Sequence, residues 1–134
     1  MEGFNVAIVG AADIVGQEII KILEQRKFPV ASVQLLATEH SPGMKLRFKH
    51  QRIEVKGAKP EAFRYVDIAF FSAGADISKR LAPAAAEDGA VVIDNSAAFR
   101  MDPTVPLIVP EVNAEDIKWH KGIIASPNSA TVQM

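Results

Sequence analysis

The chain opens on an apolar run that meets a glycine-bounded turn and then a helical pattern, and this succession limits its folds more than any other stretch. Phe4–Val9 (FNVAIV) is short, rich in β-branched residues and almost wholly apolar. A strand of that kind has no face to offer to water and belongs in a sheet covered on both sides. Gly10–Gly16 (GAADIVG) breaks the run. Ile14, Ile19, Ile20, Ile22 and Leu23 then recur at roughly helical spacing through Arg26, and Pro29 bars continuation.

The rest of the chain repeats the alternation. Ser32–Leu36 is a second strand candidate, followed by a turn at His40–Gly43. Lys45–Phe48 and Arg52–Val55 alternate polar and apolar, as in a small half-exposed hairpin whose solvated face carries Lys45, Arg47, Lys49 and Arg52. Val66–Phe71 is a third buried strand ending at Ser72-Ala73-Gly74, and Ile77–Asp88 an Ala-rich amphipathic helix closed by Gly89. Ala90–Ile93 is a fourth buried strand ending at Asp94-Asn95-Ser96. Leu107–Val109 and Gly122–Ala125 read as short strands, with one or two helical turns at Ala114–Trp119 between them. Apolar strands alternating with amphipathic helices predict an α/β fold: a Rossmann-like, doubly wound, mostly parallel sheet in a single domain, with Phe4–Val9 at its centre.

Composition removes several functions. The formal net charge of -1 gives no basic excess for nucleic acid or an anionic membrane. No apolar run approaches the ~20 residues that span a bilayer, and no leader pattern precedes the first strand. Cysteine is absent, which excludes disulfides, thiolate metal sites and thiol nucleophiles together and makes the cytoplasm the expected compartment. His40, His50 and His120 lie far apart without metal-motif spacing, so no metal site is expected.

On a parallel sheet, ligands sit at the carboxyl ends of strands, and three such ends carry candidate chemistry. In GAADIVG, Gly10 and Gly16 fit the outer positions of a G-x-x-G-x-x-G dinucleotide fingerprint, but Asp13 stands in the middle. A tight strand-to-helix turn with Asp13 as N-cap fits equally. In Ala37–Gly43 (ATEHSPG), an acidic residue would favour NAD through the ribose hydroxyls and a basic one NADP; Glu39 and His40 give a mixed message, and a polar surface turn is the plainer alternative. In Asp94–Pro110, Arg100 suits a carboxylate or phosphate on a small substrate, or else a salt bridge to Asp102 or Asp94.

Four segments together, GAADIVGQE, DIAFFSAGADIS, AVVIDNSAAFRMDPTVPLIVPEVN and GIIASPNSATVQM, resemble the aspartate-β-semialdehyde dehydrogenase family in order along nearly the whole chain. The resemblance implies an NADP-binding domain of an enzyme that reduces aspartyl phosphate in amino-acid biosynthesis, on the path to lysine, threonine and methionine. It places the cofactor on Gly10, Ala11, Ala12, Asp13, Ile14, Val15, Gly16, Thr38, His40, Ser41, Ser72, Ala73, Gly74 and Asn95. Arg100 matches the arginine that grips the substrate phosphate, and Asn128 the asparagine before the nucleophile. The family's nucleophilic cysteine falls on Ser129.

The departures are equally specific. The family's usual GATGAVG has become GAADIVG, the arginine usual in the second loop is His40, and the cysteine is Ser129. The family's second, catalytic and dimerisation domain, with its histidine base, is expected to lie outside residues 1–134. The chain alone is therefore expected to be inactive, to bind NADP weakly with NAD as an option, and to self-associate through an uncovered apolar face. The alternative is a diverged or engineered Rossmann-like scaffold with little or no nucleotide binding.

Overall fold

A computed structural model describes residues 3–38, 44–107 and 122–125. Among the described residues, seven strands form one sheet: β1 (Phe4–Val9), β2 (Val30–Ala37), β3 (Lys45–Phe48), β4 (Gln51–Gly57), β5 (Ile68–Phe71), β6 (Val91–Asp94) and β7 (Ile123–Ala125). Helix α1 (Ile14–Gln25) follows β1, and α2 (Ala75–Glu87) follows β5. The strand order is β3-β4-β2-β1-β5-β6-β7, so β1 is central as expected. Every pairing is parallel except β3 with β4.

The apolar character of β1 follows from its two-sided burial. Successive residues of a strand point to opposite faces. Val6 and Ile8 join Ile20 and Leu23 of α1, with Leu35 and Val55, in one core. Ala7 and Val9 join Leu81, Ala82 and Ala85 of α2, with Leu36, Phe71 and Val92, in the other. Full burial of a side chain such as Val6, Ile8 or Val9 contributes about 1.5–3 kcal/mol relative to exposure. The two helices thus cover opposite faces, which makes the sheet doubly wound.

The α2 side is built from small residues: Ala82 and Ala85 are fully buried. A Cβ on Gly122, just before β7, would come within 2.9 Å of the Ala86 Cβ. Pro83 lies on the exposed face of α2, where its ring meets no neighbouring layer.

Several boundaries differ from the sequence reading, each for a tertiary reason. Strand β2 is longer than Ser32–Leu36 because it pairs with β1 from Phe4↔Val30 to Val9↔Leu36. The hairpin is no separate unit: Val55–Gly57 of β4 pair with Leu35–Ala37, which extends the main sheet and buries Val55. Its charged face remains solvated, with Lys45, Arg47, Lys49 and Arg52 all exposed. Strand β5 begins at Ile68 rather than Val66, because Tyr65 adopts φ 68° and Val66 closes a turn onto the Phe63 carbonyl at 3.1 Å. A 3-10 turn at Pro60–Phe63, absent from the sequence reading, drives Phe63 into the α2 core beside Phe71. Helix α2 starts at Ala75, two residues earlier than read, and Gly89 terminates it at φ 99° as expected. Leu107 makes a single parallel bridge to Ala125; the remainder of Leu107–Val109 and the turns at Ala114–Trp119 lie outside the described residues.

Candidate functional site

The sheet changes direction at β1. The chain leaves it toward β2 on one side and returns to β5 on the other, so the helices after β1 and β5 part to opposite faces from neighbouring strand ends. That arrangement opens a crevice where such folds hold their ligands. The β1–α1 turn is Gly10–Asp13, and the β5–α2 turn is Ser72–Gly74.

The two turns touch. Gly10 takes φ 90°, and a Cβ there would stand 2.9 Å from both the carbonyl carbon and the Oγ of Ser72. Only glycine meets both demands. The Gly10 and Ala11 N–H groups both donate to the Leu36 carbonyl, at 2.8 and 3.2 Å, which fastens the turn to β2. Ser72 donates its N–H (2.9 Å) and its hydroxyl (3.1 Å) to the Val9 carbonyl, which fastens the second turn to β1. Ala11 and Gly16 are buried, and Gly16 lies so close to β1 that a side chain would overlap the Gly10 carbonyl. Ala73 is half-buried between the turns.

Helix α1 begins at Ile14, and its first helical hydrogen bond runs from the Gln17 N–H to the Asp13 carbonyl at 2.9 Å. The N–H groups of Ile14, Val15 and Gly16 precede that bond and form the positive end of the helix. Asp13 occupies the N-cap position with extended backbone, but its carboxylate makes no capping hydrogen bond. It stands exposed at the helix end, while Gln17 Nε2 instead donates to the Ala12 carbonyl at 2.9 Å. Ile14 is 85% exposed, beside a half-exposed Val15.

Gly74 is the N-cap of α2, at φ 100° and ψ 164°. Nothing lies within 4 Å of where its Cβ would stand, so backbone geometry, not crowding, requires glycine. Gly74→Ala should therefore lower stability by about 1–3 kcal/mol, the range for a non-glycine residue in such a region. Urea denaturation measures this; an unchanged midpoint would mean that the turn relaxes freely.

Strand β6 ends in Asp94, which is wholly buried and accepts from Ser78 Oγ of α2 (2.7 Å), the Ser96 N–H (3.0 Å) and Ser96 Oγ (2.9 Å). The sequence reading left Asp94 in the loop. The signal was present: it lies two residues after Val92 and shares that buried face. Exposed Asn95 follows, with its N–H on the Phe71 carbonyl at 2.9 Å. Arg100 Nη2 donates to the Asn95 carbonyl at 3.1 Å. Asp102, one of the acids considered as its partner, accepts from the Thr104 hydroxyl (2.7 Å) and N–H (2.8 Å). Those two bonds, the hydroxyl first, hold its carboxyl below the usual range.

The structure thus brings the turn after β1 against the turn after β5, Gly10 onto Ser72 and Ala73, with Asn95 and Arg100 following the adjacent strand β6. Thr38 is exposed just past β2. His40, Ser41, Asn128 and Ser129 lie outside the described residues.

Residues 5–120 match the semialdehyde dehydrogenase NAD binding domain family. The chain belongs to this family. It is 52% identical over 132 residues to an aspartate-semialdehyde dehydrogenase of Bacillus subtilis, covering 98% of this chain and 38% of that protein. The fold superimposes on aspartate semialdehyde dehydrogenase II of Vibrio cholerae complexed with ASA, with a TM-score of 0.93 and 46% identity over 99% of this chain and 44% of that one. A Candida albicans aspartate semialdehyde dehydrogenase solved with NADP aligns at a TM-score of 0.77 and 25% identity, covering 96% of this chain and 44% of that one. The chain spans about two fifths of the length of the curated relatives it matches. The family accounts for the Rossmann-like sheet. Among the described residues, no helix is long and apolar enough to cross a membrane.

Proposed function

We propose that this chain is the NADP-binding domain of an aspartate-semialdehyde dehydrogenase, with residues 1–134 running from the first strand to the turn that carries the nucleophile position. The observation that carries the reading is the close approach of Gly10 to Ser72 and Ala73 at the carboxyl ends of the adjacent strands β1 and β5, with the amino end of α1 following the same turn. These residues fit a dinucleotide. Glycine backbones allow close approach, and the free N–H groups of α1 favour a diphosphate. Gly10–Gly16 and Ser72–Gly74 would hold the cofactor, Thr38, His40 and Ser41 would meet its adenosine end, and Asn95 would face its nicotinamide half. The bound dinucleotide supplies hydride chemistry. Arg100 would orient the phosphate of an acyl phosphate, with Asn128 and Ser129 at the reacting carbonyl.

Isothermal titration with NADP and NAD tests the reading, and heat of binding to neither would favour a scaffold that has lost its nucleotide. The exposed Asp13 carboxylate supports that second reading, because it places negative charge at the end of α1 where a diphosphate would come.

No turnover is expected from this chain alone with aspartate semialdehyde, phosphate and NADP. A serine alkoxide at position 129 forms far less readily than a thiolate, and Ser129→Cys alone should not restore activity without a base from the rest of the enzyme. NADPH absorbance monitors this; turnover by either protein above a heat-killed control would overturn it.

A further inference from the structure

We propose that Asp94 is a positioning residue: its buried carboxylate fixes the loop bearing Asn95 and Arg100 and thereby sets where the Arg100 guanidinium stands. This rests on the reading of Arg100 as the anion-holding group. A buried carboxylate is expensive unless its oxygens are filled, and here they are filled by donors from two separate parts of the chain. Ser78 Oγ comes from the first turns of α2, and its own N–H donates to the Gly74 carbonyl at 3.1 Å. The Ser96 N–H and hydroxyl come from the loop itself. Ser96 Oγ, with its proton committed to Asp94, accepts the Ala98 N–H at 3.1 Å. Residues 94–98 are in this way folded back onto the first turn of α2, whose N-cap is Gly74.

Arg100 is tied to that folded segment. Its Nη2 donates to the Asn95 carbonyl, while the Asn95 N–H is held by Phe71 at the end of β5. The Asn95 peptides are thus fixed from both sides, and the guanidinium is referred to a point that Asp94 holds. Ser78 Oγ, the Ser96 N–H and Ser96 Oγ all donate to the carboxylate, so the position calls for an acceptor at both oxygens. Asparagine preserves the shape but turns an NH2 toward one of the donors.

The test uses the 134-residue chain carrying Asp94→Asn or Ser96→Ala. Three quantities are read: circular dichroism, the Arg100 side-chain NMR signals assigned with Arg100→Lys, and inorganic phosphate affinity followed at those signals. Asp94→Asn should keep the fold, free the guanidinium so that its restricted Nη signals coalesce, and weaken phosphate binding about tenfold, as loss of a charged hydrogen bond does. Ser96→Ala should act in the same direction by a smaller factor, and decides the matter if Asp94→Asn does not fold. Lower stability with unchanged Arg100 signals and unchanged phosphate affinity would overturn the proposal. If the unmodified chain fails to bind phosphate at Arg100 while Asp94→Asn still frees the guanidinium, the anion reading falls and the positioning role stands.

Discussion

Gly16→Ala should destabilise the domain by about 2 kcal/mol or more, against the direction that helix propensity alone dictates. In an exposed helix interior, alanine is favoured over glycine by about 1 kcal/mol. Gly16 is buried, and a Cβ there would overlap the Gly10 carbonyl and come within 2.8 Å of the Ala11 Cα. These are backbone atoms of a turn fastened to Leu36, not the tips of flexible side chains. Overpacking typically costs about 1–3 kcal/mol and occasionally more, and contact with rigid backbone belongs at the upper end. The helix can accept the methyl only by moving its first turn away from β1, which displaces the donors of Ile14 and Val15. The urea midpoint should fall, and dinucleotide affinity should fall further than the stability loss explains. A rise in midpoint, as propensity predicts, would show that α1 does not depend on this close approach.

Asp13→Gly is expected to strengthen dinucleotide binding by about ten- to thirty-fold. The carboxylate stands at the positive end of α1 without a capping bond to hold it aside. Two unit charges 4 Å apart at an effective dielectric of ~20 repel by about 4 kcal/mol. Solvent and salt reduce this at an exposed turn to about 1–2 kcal/mol, which corresponds to the stated gain. Asp13 has φ -79°, so glycine is not required by the backbone, and Asp13→Asn should recover most of the gain by removing charge alone. Titration calorimetry of the three proteins at two salt concentrations separates the terms. The advantage of the variants should shrink at high salt. Equal affinities for all three would place the carboxylate away from the phosphates and leave His40 as the departure to examine.

What the sequence made legible was whatever depended on local pattern. The two-sided burial of β1, the glycine turn after it and the end of α2 at Gly89 all follow from periodicity and backbone freedom. The errors arose where distant strands decide. Nothing local in Gln51–Gly57 says that its second half will pair with Leu35–Ala37, and the alternation there reads as a self-sufficient hairpin. Phe63 was invisible because a 3-10 turn beginning at a proline has no repeating pattern. The glycines were readable from the steric demand they answer, whereas residue type left Arg100 open between an anion-holding group and a salt bridge to Asp102 or Asp94. Asp94 was missed because a carboxylate beside Asn and Ser looks like loop, although the alternation from Val92 turns it inward, onto Ser78.

The alanine-lined seat of α2 bears on how this domain can diverge. Ala82 and Ala85 bring the helix close to the sheet, and Ala86 leaves Gly122 no room for a methyl. An enlargement on either side lifts α2, and its amino end carries both Gly74 and Ser78. Substitutions in this layer are therefore not independent: a larger residue on the helix is tolerated only with a smaller one on β6 or at the entry to β7. Homologous chains should show that reciprocity in side-chain volume between positions 82–86 and positions 90, 92 and 122, while the solvent face around Pro83 drifts without it.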